Sequence, residues 1–113
     1  FQNNFNQLKN SFSSYSFTDD ETREAMKKIY TNSNYIADPH GAVGYLGLKK
    51  YVLNTTEFGV FLETAHPVKF LDVVEETLSV KVTIPKQVQE IINKEKVAKK
   101  ISSYQELKEY LTS

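Results

Sequence analysis

The chain has 113 residues, 40% apolar and 25% charged, a globular balance that sets disorder aside. Fourteen basic residues offset fourteen acidic ones, so no net field favours nucleic acid or an anionic membrane surface. The absence of cysteine excludes a disulfide framework and thiolate metal ligation and is compatible with a reducing, cytoplasmic setting. No apolar run approaches the ~20 residues that span a bilayer. The opening Phe1-Gln2-Asn3-Asn4 is neither a signal nor a transit peptide, and without an initiator Met the chain is expected to be a segment of something longer.

In chain order, Phe1, Phe5, Leu8 and Phe12 recur at helical spacing. Ser13-Ser14 breaks that helix, and Tyr15-Ser16-Phe17 reads as extended. Thr18 and Glu21 form a capping box, with Asp19 and Asp20 suited to the positive helix end. The next helix turns Ala25, Met26, Ile29 and Tyr30 to one side and ends at Asn32-Ser33-Asn34. Asp38 is an N-cap and Pro39 fits the first helical position, so a helix is expected to about Tyr51. Val43, Tyr45, Leu46, Leu48 and Val52 spread around it, predicting burial on most sides. Gly41, Gly44 and Gly47 each cost about 1 kcal/mol against alanine, which implies close packing against that backbone.

Asn54 to Glu57 reads as a turn. Phe58-Gly59-Val60-Phe61-Leu62 is a continuous apolar run, the pattern of a central strand covered on both faces. After Glu63-Thr64-Ala65-His66-Pro67, a helix turns Phe70, Val73, Val74 and Leu78 inward. Val80, Val82 and Ile84 alternate as a short strand would. Pro85 opens a helix with Val88, Ile91 and Ile92 inward, Lys94 to Lys100 is a solvated charged stretch, and Ser103 and Glu106 cap a last helix with Leu107, Tyr110 and Leu111. A lone buried strand needs neighbours on both edges, which a longer protein would supply.

Two polar clusters interrupt the apolar pattern. Asp38-Pro39-His40-Gly41 stands at a helix N-terminus, where free N–H groups receive anions or polarised groups; a plain N-cap beside a chance histidine is the alternative. Thr64-Ala65-His66-Pro67 ends the apolar run, and ligands of α/β sheets bind beyond strand ends; a satisfied strand-end histidine is the alternative. His40 and His66 are too few for a histidine-rich metal site, and no carboxylate stands at metal-motif spacing. There is no G-x-S-x-G elbow, no phosphate loop and no lysine in a recognisable Schiff-base context.

Taken together, Tyr35-Ile36-Ala37-Asp38-Pro39-His40-Gly41-Ala42-Val43-Gly44 and Glu63-Thr64-Ala65-His66-Pro67-Val68-Lys69-Phe70 resemble the threonine synthase family. The first matches its aromatic, Asp-Pro-His, small, Ala, aliphatic, Gly pattern. The second matches Thr-Ala-His-Pro-Ala-Lys-Phe, with Val68 in place of the usual Ala. The similarity runs from about Phe17 to Val74.

It implies an α/β fold: a helix-rich C-terminal portion of a fold type II, tryptophan synthase β-like enzyme dependent on pyridoxal 5'-phosphate (PLP). One central buried strand and short additional strands are expected. Residues 1–113 would be a single segment of the larger PLP-binding domain. The full enzyme would convert O-phospho-L-homoserine and water to L-threonine and phosphate. The Schiff-base lysine and glycine-rich phosphate loop would lie outside this segment, which would be inactive alone and would not bind PLP in isolation; its partner is the remainder of the enzyme chain.

By the same resemblance, Thr64 faces the pyridine nitrogen of the cofactor. Asp38, His40, His66 and Lys69 would line the active site, with Thr64 and the Asp38–Gly41 helix start opening onto one concavity. Two other readings stay open: a non-catalytic α/β interaction module, or a segment of another PLP lyase such as a threonine dehydratase-like enzyme.

Overall fold

The computed structural model describes residues 1–51 and 56–113. Two compact units, residues 1–83 and 84–113, divide the chain.

In the first unit, α1 (Phe5–Ser11) begins where the Asn4 side chain accepts the Gln7 N–H. Its apolar residues remain exposed, Phe5 at 70%. Helix α2 (Asp19–Ser33) carries the expected capping box: Thr18 Oγ1 accepts the Glu21 N–H at 3.2 Å, and Glu21 Oε2 accepts the Thr18 N–H at 2.7 Å. It ends at Asn34, whose φ of 53° is left-handed, a conformation asparagine tolerates. Helix α3 (Pro39–Lys50) starts at Asp38, and Lys49 and Lys50 complement the negative end of its dipole. The Lys50 ammonium also lies over the rings of Tyr15 and Phe17, at 5.4 and 5.5 Å from their centroids. A 3-10 turn (Pro67–Phe70) leads into α4 (Leu71–Leu78).

The core lies among α2, α3 and α4. Ala25, Met26 and Ile29 on α2 meet Ala37, Ala42, Val74 and Val82, with Leu46, Phe70 and Leu71 packed around them. Arg23 spans the α2–α4 seam, donating to Thr77 Oγ1 at 3.0 Å and pairing with Glu76 at 3.7 Å. Glu75 ties the chain after α4 back onto it, accepting from the Val82 N–H at 3.0 Å and Lys81 Nζ at 2.6 Å.

Of the three glycines of α3, Gly41 is explained by what crosses it. A Cβ built at Gly41 would overlap the Glu63 carboxyl; at Gly44 it would meet Phe61 at 3.7 Å, and at Gly47 the Tyr15 ring at 3.8 Å. The last two are ordinary contacts. Gly47→Ala is therefore expected to stabilise the first unit by up to about 1 kcal/mol through helix propensity, read as a higher urea midpoint at unchanged slope. A lowered midpoint would mean that Tyr15 cannot accommodate the methyl.

Four expectations are corrected. Residues 58–62 form no strand, and no strand occurs among the described residues. A strand is defined by backbone pairing with a neighbour, and this run has none. It still shows period-two burial: Phe61 and Glu63 turn toward α3, while Phe58, Val60 and Leu62 are 97, 78 and 75% exposed. Val80, Val82 and Ile84 keep the same alternation without a partner.

Helix α3 is buried only at Gly41 and Ala42; Val43 is exposed, and the residues from Gly44 to Leu48 are half-buried. Its fully covered part is the turn crossed by Glu63. In the second unit, α5 (Lys86–Gln89) is one turn long and leaves Ile91 and Ile92 exposed. A piece of this size cannot bury a core of its own. The expected turn at Asn54–Glu57 and the apolar position Val52 fall wholly or partly outside the described residues.

The second unit ends in α6 (Tyr104–Thr112), where Ser103 Oγ accepts the Glu106 N–H at 3.2 Å and Glu106 Oε2 accepts the Ser102 N–H at 2.7 Å. No helix among the described residues is long and apolar enough to cross a membrane.

Candidate active site at the start of helix three

The segments that hold the two polar clusters meet at the N-terminus of α3 through Glu63 and Phe70, which flank the second cluster. Asp38 is fully buried. Its Oδ1 accepts the backbone N–H of His40 at 2.8 Å, and the His40 ring Nδ1 lies 3.0 Å from the same oxygen. The Asp38 N–H donates to Glu63 Oε1 at 2.8 Å. A second junction forms beside this one, where the His40 ring packs on the Phe70 ring with centroids 5.0 Å apart. Thus each end of the Glu63–Phe70 segment touches the Asp38-Pro39-His40 corner.

The Asp38 and Glu63 carboxyls influence each other's ionisation, and the buried oxygens Asp38 Oδ2 and Glu63 Oε2 receive no donor among the described residues. Burial raises the Glu63 pKa, and the bond to Asp38 adds to this, taking it from 4.5 to about 6. Burial opposes ionisation of Asp38 as well. There the hydrogen bonds from Glu63, the His40 N–H and the His40 ring outweigh it, and Asp38 is held below the ordinary carboxylate range. Below about pH 6 the environment therefore separates two similar groups into one carboxylate and one carboxylic acid, and above it Glu63 ionises as well.

Thr64 follows Glu63 and faces the other way, as successive residues of an extended chain do. It is exposed, and its hydroxyl has no partner among the described residues. His66 caps the 3-10 turn, its Nδ1 accepting the Val68 N–H at 3.1 Å. That bond places the proton of a neutral His66 ring on Nε2, an outward donor. In His40, donation from Nδ1 to Asp38 leaves Nε2 as an outward acceptor. Lys69 is exposed on the turn, its ammonium without a partner among the described residues.

One expected arrangement is corrected. Thr64 and Asp38 do not open onto a common concavity, because Asp38 is sealed behind Glu63 and His40 while Thr64 stands outside. Cavities of about 760 and 670 Å³ border α3 elsewhere, the second along Val60 and Leu62, and neither is lined by Thr64 or Asp38. Glu63 is the residue that the sequence pattern does not single out. Its only signal there is a carboxyl group closing an apolar run, with glycines on the preceding helix to make room.

This junction of motifs accords with the comparisons. The family described as "Threonine synthase, C-terminal" matches residues 41–111. The chain belongs to the threonine synthase C-terminal family. Threonine synthase of Buchnera aphidicola subsp. Schizaphis graminum is 36% identical over 97 residues, 85% of this chain and 22% of that protein. Threonine synthase of Escherichia coli is 40% identical over 76 residues, 67% of this chain and 18% of that one. The crystal structure of the E. coli threonine synthase superposes with a TM-score of 0.61 at 37% identity, covering 66% of this chain and 17% of the other. The chain spans about a fifth of the length of these relatives, so it is a threonine synthase C-terminal segment sharing that enzyme's fold where the two superpose.

Proposed function

We propose that this chain forms one wall of the cofactor site in a PLP-dependent threonine synthase of fold type II, within the larger PLP-binding domain. The full enzyme, a cytoplasmic lyase of threonine biosynthesis, would turn O-phospho-L-homoserine and water into L-threonine and phosphate. The observation that carries this reading is the junction of the two family motifs at one helix start, with the unpartnered Thr64 hydroxyl exposed beside it.

The residues fit such a group. A neutral hydroxyl can hydrogen-bond a pyridine nitrogen without forcing it to be protonated. The carboxyls that would force protonation, Asp38 and Glu63, face each other on the opposite side of the segment. Bound PLP would supply an electron sink that acidifies C–H bonds of the amino-acid substrate. His40 and His66 would offer an acceptor and a donor at its margin, and Lys69 a cation. The covalent lysine would come from the rest of the enzyme, whose β-sheet would cover the bare Phe58, Val60 and Leu62 face. The segment alone would neither bind PLP nor turn over substrate.

In the full-length enzyme, Thr64→Val is expected to lower kcat/KM for O-phospho-L-homoserine, or the affinity for PLP, by about tenfold or more, the value of one hydrogen bond of ~1.4 kcal/mol. Far-UV circular dichroism and Tm should hold, since the replaced hydroxyl makes no bond within the chain. Unchanged kinetics and unchanged PLP affinity together would sink the assignment.

A further inference from the structure

We propose that Glu63 is a positioning residue: it and Asp38 hold one proton between their carboxyl groups, and that proton fastens the Thr64-bearing segment to the start of α3. Its functional consequence rests on the reading of Thr64 as facing the cofactor; the fastening itself does not.

Three observations on geometry converge. The Asp38 N–H already donates to Glu63 Oε1 at 2.8 Å, so the two residues are joined through one carboxyl oxygen. The two oxygens left over, Asp38 Oδ2 and Glu63 Oε2, are both buried and receive no donor from any other described group. Two such acceptors, on residues already joined by a hydrogen bond, are costly if both groups are ionised and would be satisfied together by a single proton between them. Finally, Gly41 leaves room for this carboxyl and for nothing larger on its own backbone, since a Cβ there would overlap it.

The groups facing the pair are few. The His40 ring holds the other Asp38 oxygen. Tyr35 stands on the preceding loop, its phenol kept neutral by burial and then by the negative charge of Glu63 and Asp38. Phe70 contributes an apolar ring beside His40.

The pH dependence follows. Glu63 binds its proton more tightly in the closed contact, with a pKa of about 6 against 4.5. Its contribution is therefore complete below about 4.5 and is lost as pH rises through about 6. Asp38 works in the opposite sense: its contribution is present above 3.8 and is lost as pH falls through its lowered value. The latch is tightest in mildly acidic solution.

The test is hydrogen exchange of residues 61–66 in the full-length enzyme from pH 5 to 8, corrected for intrinsic rates, with the cofactor absorption spectrum recorded alongside. In the wild type the opening equilibrium should rise about eightfold across this range, from the two values just given. Glu63→Gln should stay protected at every pH, because its amide accepts the Asp38 N–H and donates to Asp38 Oδ2 without titrating. Glu63→Ala should be open throughout. The wild-type spectrum should change across the same window and that of Glu63→Gln should not.

A flat wild-type exchange profile would overturn the proposal, as would Glu63→Ala protected like Glu63→Gln. So would spectra of wild type and Glu63→Gln that coincide at every pH, since the segment would then be fastened without positioning anything. An inert Thr64→Val, by contrast, would remove the cofactor reading and leave the exchange profiles as they are.

Discussion

Gly41→Ala is expected to destabilise the first unit by up to about 2 kcal/mol, against the helix propensity of alanine, which alone would favour the change by about 1 kcal/mol. All three nearest atoms to the new methyl belong to the Glu63 carboxyl. A carboxyl at the end of a side chain can swing aside, so the helix itself need not distort. Moving it, however, breaks the Asp38 N–H···Oε1 bond and leaves that N–H without a partner. Such a loss costs about 1–3 kcal/mol, which matches or exceeds the propensity gain.

The mechanism makes a sharper forecast through coupling. In a Glu63→Ala background nothing remains at that place for the methyl to displace. The same Gly41→Ala change should then be neutral or stabilising, so the two substitutions are strongly non-additive. Denaturant midpoints of the wild type, both single variants and the double variant would measure this. Additive effects would show that Gly41 is required for some reason other than Glu63.

Met26→Ala is expected to cost about 2–5 kcal/mol. Met26 is fully buried and is the largest such side chain among the described residues. It packs in a core where, among the described residues, three of the seven buried apolar ones are alanines, Ala25, Ala37 and Ala42, so few neighbouring side chains can extend into the space left behind. Domains are stable by only about 5–15 kcal/mol, so a loss of this size would remove much of the stability of the α2–α3–α4 junction that carries the site. Met26→Leu conserves volume and should cost less than about 1.5 kcal/mol. Urea unfolding of both variants in the full-length protein provides the comparison. Equal costs for leucine and alanine would mean that sulfur-specific contacts, not volume, set the demand at this position.

Much of the local structure was legible in the residues. The Thr18–Glu21 capping box, the Asp38 cap with Pro39 behind it, the Ala25–Met26–Ile29 stripe and the Ser103–Glu106 cap all lie where local chemistry puts them. Each depends on hydrogen bonds or periodicity within a few residues, which sequence spacing encodes directly. The close neighbour expected from the glycines of α3 is present at Gly41 and not at Gly44 or Gly47, and the two motifs announced the family.

Pairing and charge state were not legible in the same way. Whether Phe58–Leu62 is a strand depends on a partner for its backbone, and the described chain provides none, so only the alternation survives. Whether Asp38 lines a cavity or lies beneath one depends on which side chain covers it. That the pKa of Glu63 is raised while that of Asp38 is lowered depends on the approach of residues 25 positions apart and on the burial around them. Cap chemistry, helical stripes and family membership were written in the order of the amino acids, because each is decided within a turn or a motif. The joining of Glu63 to Asp38, and with it the orientation of Thr64, was decided only by the tertiary fold, because burial and electrostatic coupling arise between segments that the sequence keeps apart.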